Sequence, residues 1–171
     1  YSPKGDHIAL GLKDGGVQIL DADLKELKSF KHRKEAIHAI KYHPTGQILA
    51  VGSHDNFVDL YKVFNNANPV LYKRYAVCKG HSSFITHLDF SADGKFLQTN
   101  SGDYEVLYWD ATNRGKRITR KPENAEWTPR TRKMMWSTWT CVIGDYVEGI
   151  WPKYSDGSDV NAVTRSRDKK L

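Results

Sequence analysis

A repeated frame of 21 residues constrains the fold more than any other feature of this sequence. Three stretches align without a gap when Tyr1, Tyr42 and Phe90 are superposed: YSPKGDHIALGLKDGGVQILD, YHPTGQILAVGSHDNFVDLYK and FSADGKFLQTNSGDYEVLYWD. Their first residues are 41 and 48 positions apart. A period of this length is typical of proteins built from stacked supersecondary units, and each unit then forms one blade or one repeat.

The copies share two short apolar runs, each bounded by turn residues. A glycine precedes the first run and an aspartate stands 13 residues after the aromatic; these residues are Gly5, Gly46 and Gly94, and Asp14, Asp55 and Asp103. Runs of four to six residues rich in Val, Ile, Leu, Tyr and Phe are typical of strands. Some runs, such as VLYW, are apolar on consecutive positions, which indicates a sheet covered on both faces.

Further strands, IHAIKY and ITHLDF, precede the second and third copies. The sequence therefore predicts an all-β fold, a WD40-type β-propeller, of which the chain supplies about three and a half blades with one atypical blade. The predicted units cover residues near 1–30, 31–79, 80–159 with a basic insertion at 111–135, and an incomplete unit at 160–171. An open ring leaves unpaired sheet edges, so we expect the piece to require the remaining blades of a larger propeller.

Only the third copy carries the complete polar signature of a WD40 blade: His81, Ser101, Asp103 and Trp109. The predicted structural role is a buried hydrogen-bonded chain. In it the Trp109 N–H donates to Ser101, the Ser101 hydroxyl contacts His81, and the imidazole contacts Asp103.

The other two copies lack the tryptophan. The second has Tyr61-Lys62 in that place and keeps Ser53, Asp55 and, as a further candidate, His32, while the first has Leu20-Asp21. A buried tryptophan needs a partner for its N–H, so we expect the blades without it to be held together by packing.

The residue content argues against catalysis and against a metal or cofactor. The repeat dictates the positions of the Ser-His-Asp set, and no Gly-x-Ser-x-Gly motif is present, so no enzyme activity is predicted. The seven histidines form no His-Glu-x-x-His motif.

Cys78 and Cys141 form no Cys-x-x-Cys pair, and no Asn-x-Ser/Thr acceptor is present, so a reducing, intracellular compartment is expected. No apolar run approaches the roughly 20 residues that span a bilayer.

The net charge of +6 is concentrated in one segment, residues 111–135, which has eight basic residues and two glutamates. These basic residues are the candidate contacts for an acidic partner: Arg114, Lys116, Arg117, Arg120, Lys121, Arg130, Arg132 and Lys133. Charge alone leaves nucleic acid, an acidic protein surface and anionic lipid open as partners. The alternative is a solvated connector that binds no partner, because charge runs are common on exposed loops. The segment has few aromatic residues between its charges, which argues against nucleic acid.

The next stretch, residues 136–163, predicts two strands, WTCVIG and YVEGIW, joined at Gly144-Asp145. An ordinary unit has one strand in this interval, so the blade is expected to depart from the four-stranded plan. Its tryptophans, Trp136, Trp139 and Trp151, are interpreted as core or edge-covering side chains.

This stretch also carries a specific resemblance. TWTCVIGDYVEGIWPKYSDGSDVNAVTRS resembles the atypical propeller of the echinoderm microtubule-associated protein-like family, and the preceding units are similar to that family as well. The resemblance implies a non-enzymatic scaffold of the cytoplasm and cytoskeleton, whose partners are tubulin, microtubules or microtubule-associated proteins. The alternative is a general WD-repeat adaptor for other proteins that makes no microtubule contact of its own.

Overall fold

A computed structural model of the chain describes residues 1–67, 69–119, 134–144, 162–164 and 166. Eleven strands and no helix occur within these ranges. The strands are β1 (Ile8–Gly11), β2 (Gly16–Leu20), β3 (Glu26–Lys31), β4 (Ile37–Tyr42), β5 (Ile48–Ser53), β6 (Val58–Phe64), β7 (Leu71–Cys78), β8 (Ile85–Phe90), β9 (Phe96–Ser101), β10 (Val106–Asp110) and β11 (Lys116–Ile118). Over the same ranges the chain has no helical segment that could cross a membrane.

The strands form three antiparallel meanders in chain order. β1 to β3 make the first sheet, β4 to β7 the second and β8 to β11 the third. The repeat fixes the register: Leu49 lies opposite Tyr61 in the second sheet, and Leu97 lies opposite Trp109 at the aligned position of the third. The predicted all-β fold of the WD40 propeller type is confirmed, and the predicted strands IHAIKY and ITHLDF are β4 and β8.

The sheets stack face to face and enclose two apolar cores. The core between the first and second sheets contains Val17, Ile19, Leu49, Val51, Tyr61, Val63 and Tyr72. The core between the second and third contains Ala50, Val58, Leu60, Ala76, Cys78, Ile85, Leu88, Phe90, Leu97, Leu107, Trp109 and Ala111. Successive residues of β5 therefore bury into different cores, which explains why this strand is apolar without alternation. Each fully buried leucine or phenylalanine contributes about 1.5–3 kcal/mol to stability.

Two glycines let neighbouring blades approach closely. A Cβ at Gly52 of β5 would lie 2.6 Å from Ile85 Cγ2 of β8, so only glycine admits the next blade here. Gly94 has a φ of +74° in the turn after β8, and its carbonyl accepts a hydrogen bond from His43 Nε2 at 2.9 Å. Gly52 thus serves a contact between blades, and Gly94 serves both a local turn and such a contact.

The far face of the third sheet is covered by residues 134–144, which run beside β8. Trp136 makes an isolated antiparallel bridge to Ser91 and is buried. The predicted strand WTCVIG is wrong, because residues 139–144 have no strand structure. Their backbone groups pair with side chains of the third sheet instead of with another strand. The second predicted strand, YVEGIW, lies outside the described residues.

Candidate interaction site on the third blade

The buried polar chain of the third blade centres on Thr99. The Trp109 indole N–H donates to Thr99 Oγ1 at 2.8 Å, and His81 Nε2 lies 2.6 Å from the same oxygen. Ser101 is part of a separate pair, in which its hydroxyl donates to Asp103 Oδ1. Thr99 is fully buried and Trp109 is 1% exposed. The chain thus satisfies polar groups inside an otherwise apolar core.

The predicted role of Ser101 as the partner of Trp109 is therefore wrong. Trp109 of β10 lies opposite Leu97 of β9, and Thr99 is its diagonal neighbour on the same face. Ser101 is two residues further along β9 and lies opposite Ile85 of β8. Side chains on one face of a strand repeat every two residues, so a contact from Trp109 reaches Thr99 but falls short of Ser101.

This geometry does not present a nucleophile to solvent. His81 Nε2 contacts Thr99, whose hydroxyl is inaccessible, and the Ser101 hydroxyl is bonded to Asp103. A nucleophilic mechanism needs a reachable hydroxyl within hydrogen-bond distance of a base. Burial lowers the pKa of His81, so its imidazole is neutral at physiological pH.

The second blade has a buried ionic cluster where packing was predicted. Arg33 occupies the repeat position of His81, and its Nε donates to Asp59 Oδ2 at 2.7 Å. Its Nη1 also donates to Asp55 Oδ2 at 3.2 Å. Asp59 is fully buried, with Arg74 Nη1 at 3.6 Å. The second blade has the expected apolar packing, but an arginine fork and carboxylates also take the place of the tetrad, which the sequence did not predict.

Tyr61, which stands where the third blade has Trp109, also keeps a polar partner. Its hydroxyl lies 3.0 Å from His32 Nδ1 and 3.5 Å from Asp59 Oδ2. Burial raises the pKa of Tyr61 and lowers that of His32, so both groups are neutral in the folded protein at neutral pH. His32 is therefore a member of the second blade's cluster, as a partner of the tyrosine.

A third polar cluster attaches residues 138–143 to the sheet. The fully buried carboxylate of Asp89 accepts hydrogen bonds from the backbone N–H of Thr140 at 2.9 Å and of Cys141 at 2.7 Å. The hydroxyls of Thr138 and Thr140 donate to its other oxygen. Asn100 adds a reciprocal amide pair with the backbone of Ile143, at 2.9 and 3.0 Å. Residues 138–143 are therefore docked on the third blade by hydrogen bonds to the side chains of Asp89 and Asn100.

The basic segment begins on the edge of the same sheet. Arg114 precedes β11 in a turn, while Lys116 and Arg117 lie on β11, and all three are exposed. Within the predicted basic insertion at 111–135, residues 116–118 form β11, the fourth strand of the third sheet. The Arg117 guanidinium lies beside Gly80, whereas Lys116 faces solvent. The other candidate contacts, Arg120, Lys121, Arg130, Arg132 and Lys133, lie outside the described residues.

Comparison with solved structures supports the architecture. The β-propeller domain of Cps50 (Swd1) from Myceliophteria thermophila superposes with a TM-score of 0.61 at 21% identity, covering 70% of this chain and 40% of that one. A chain of the mitotic checkpoint complex superposes with a TM-score of 0.60 at 21% identity, covering 71% and 35%. At these identities the likeness concerns the fold alone.

Curated protein sequences show a higher identity to this chain than the solved structures do. Human echinoderm microtubule-associated protein-like 4 is 43% identical over the whole of this chain. Human echinoderm microtubule-associated protein-like 3 is 40% identical and rat echinoderm microtubule-associated protein-like 1 is 41% identical over the same length. The chain spans 17–20% of the length of these relatives. A family model described as the echinoderm microtubule-associated protein second beta-propeller matches residues 1–171.

Three stacked meanders with a buried Trp-Thr-His chain define blades of a WD40-type propeller. The chain belongs to the echinoderm microtubule-associated protein-like family and corresponds to its second propeller. The expected family membership is thus confirmed.

Proposed function

We propose that this chain is part of a non-enzymatic, microtubule-associated scaffold of the cytoplasm, whose propeller rim contacts tubulin through the basic segment 111–135. The observation that carries the proposal is membership of a family whose relatives are named as microtubule-associated proteins. Tubulin has an acidic surface, and the whole net charge of +6 is concentrated in this segment.

The described part of the segment supports this assignment. Arg114 is exposed in the turn before the edge strand β11 and Lys116 is exposed on that strand, so a partner can approach both without disturbing either apolar core. Exposed loops and edges carried by a rigid scaffold are common binding positions. A contact made by several exposed basic groups is electrostatic and weakens as salt screens it.

The proposal is tested by microtubule co-sedimentation of the full-length protein at several salt concentrations. The test variant has all eight basic residues of the segment changed to neutral residues. A matched variant removes the same number of charges from other exposed positions: Lys4, Lys13, Lys25, Lys34, Lys62, Lys73, Lys79 and Lys95. Circular dichroism and size-exclusion chromatography establish that each variant is folded.

We expect the wild-type protein and the matched variant to pellet with microtubules at low salt, and the segment variant to remain in the supernatant. Equal pelleting of all three proteins would assign the contact to another surface. Failure of the wild-type protein to pellet would favour the general adaptor, which binds other proteins and not microtubules.

A further inference from the structure

A cavity of about 370 Å³ lies between the first strands of the second and third sheets. Its walls are residues 38–41 of β4 and 86–88 of β8, and the other lining residues are Thr140, Ala162 and Val163. Cavities of this size hold small organic molecules in other proteins. We propose that this cavity binds a small organic carboxylate, with Lys41 as its counter-charge.

The repeat explains why these segments meet. Ala162 and Val163 stand at the repeat positions of Ala39 and Ile40, so they belong to the first segment of the next unit. The first strands β4 and β8 contact each other, and the blades of a propeller surround a central channel. The edge strand β11 lies at the opposite side of the third sheet. The proposed site is therefore separate from the basic segment.

Lys41 supplies the fixed positive charge of the cavity. It is half-buried and makes no ion pair with any described residue. The third blade has Asp89 at the same repeat position, and that carboxylate already accepts hydrogen bonds from residues 138–141. The ammonium group of Lys41 is therefore left for an anion from outside, and a charge-assisted hydrogen bond to a carboxylate is stronger than one between neutral groups.

His87 supplies a second polar group on the opposite wall. Its Nδ1 is buried and has no hydrogen-bond partner among the described residues. Burial lowers the pKa of His87, and the nearby charge of Lys41 lowers it further, so the imidazole is neutral at neutral pH. A neutral imidazole can donate one N–H to an oxygen. One fixed charge with one neutral donor suits a carboxylate better than a doubly charged phosphate.

The apolar part of the wall favours an acid with a hydrocarbon body. Ile40 and Leu88 lie on the two strands, and Ala162 and Val163 add further apolar surface. Small-molecule sites are mostly apolar, with a few polar groups that orient the ligand. Each methylene group buried against such a wall strengthens binding about fourfold. Affinity should therefore rise with the length of the hydrocarbon chain.

The test uses saturation-transfer difference NMR of acetate and butyrate with the full-length protein, at pH 7.5 and constant ionic strength. Lys41→Met removes the charge and nearly keeps the length of the side chain. Lys73→Met is the matched control, because Lys73 is exposed on β7 at the opposite edge of the same sheet. Ala162→Leu fills the cavity from an exposed position and leaves Lys41 in place. Circular dichroism establishes that each variant is folded.

We expect the wild-type protein and Lys73→Met to bind butyrate about tenfold more tightly than acetate, because two more methylene groups are buried. Lys41→Met and Ala162→Leu should each bind butyrate about tenfold or more weakly than the wild-type protein does. Inorganic phosphate at the same concentration should not displace butyrate. No butyrate binding by the wild-type protein, equal affinity in all four proteins, or displacement by phosphate would overturn the proposal.

Discussion

A single hydroxyl, that of Thr99, joins the indole of Trp109 to the imidazole of His81 in the third blade. Both partners are buried, so neither can turn to water if the hydroxyl is removed. A buried donor or acceptor left without a partner costs about 1–3 kcal/mol. The stability of this blade therefore depends more on Thr99 Oγ1 than on the hydroxyl of Ser101, the residue that the repeat pattern indicates.

Replacing Thr99 by valine should lower the free energy of opening of β9 and β10 by about 3 kcal/mol, because two buried polar groups lose their partner at once. Thr99→Ser keeps the oxygen and loses one methyl group, and should cost about 1 kcal/mol. Hydrogen exchange of the full-length protein, followed by mass spectrometry on peptides of the third blade, measures both.

Ser101→Ala is the discriminating control for that experiment. The Ser101 hydroxyl donates to Asp103, which lies nearer the surface, so the substitution should cost less than Thr99→Val. A larger loss in Ser101→Ala than in Thr99→Val would show that Ser101, and not Thr99, is the partner of Trp109.

At the scale of elements, the same repeat position is satisfied by different chemistry in neighbouring blades. The third blade uses neutral groups around Thr99, whereas the second uses the Arg33 guanidinium on the buried Asp59 carboxylate. A buried charge is tolerated only when it is paired, so Arg33 and Asp59 depend on each other. The blade geometry is thus kept while the polar residues that stabilise it differ.

Asp89 performs a comparable role between elements, since its carboxylate holds residues 138–141 on the third sheet. Asp89→Asn should release this stretch, because the amide group replaces one acceptor oxygen by a donor that faces other donors. Loss of hydrogen bonds to a buried charge costs about 3 kcal/mol. Hydrogen exchange should accelerate at the amides of Thr140 and Cys141, and β5 and β6 should keep their protection.

The control for this variant is Asp110→Asn, which changes a partly exposed carboxylate that accepts from the nearby backbone of Thr112 and Asn113. Asparagine supports such a turn equally well, so little change is expected there. Unchanged exchange at Thr140 and Cys141 in Asp89→Asn would mean that other contacts hold the stretch in place.

The repeat predicted the strands well, because β4 and β8 follow from local patterns of apolar and turn residues. It did not distinguish Thr99 from Ser101, since both are hydroxyl residues of one strand face and only the cross-strand register separates them. The strand predicted over WTCVIG is not formed. The backbone N–H groups of Thr140 and Cys141 donate instead to the carboxylate of Asp89, which is distant in sequence. Such pairings across 50 residues leave no local signal in the sequence.

The whole molecule combines three features: stacked blades, a stretch docked on the third sheet through Asp89, and exposed basic residues at the edge strand β11. The stacked blades form the scaffold. The buried polar clusters make hydrogen bonds within the second and third blades and stabilise them. The exposed basic residues remain for a partner. The proposed partner contact therefore uses these exposed basic residues rather than the buried polar residues.

Zero-length carbodiimide cross-linking of the full-length protein to microtubules, followed by mass spectrometry, tests this assignment most directly. The reagent joins a lysine to a carboxylate through an amide bond without a spacer, so it reports groups in direct contact. We expect cross-links from tubulin acidic residues to Lys116, Lys121 or Lys133, with their loss at high salt. Cross-links confined to lysines of the other blades, such as Lys13, Lys28 and Lys73, would contradict the account.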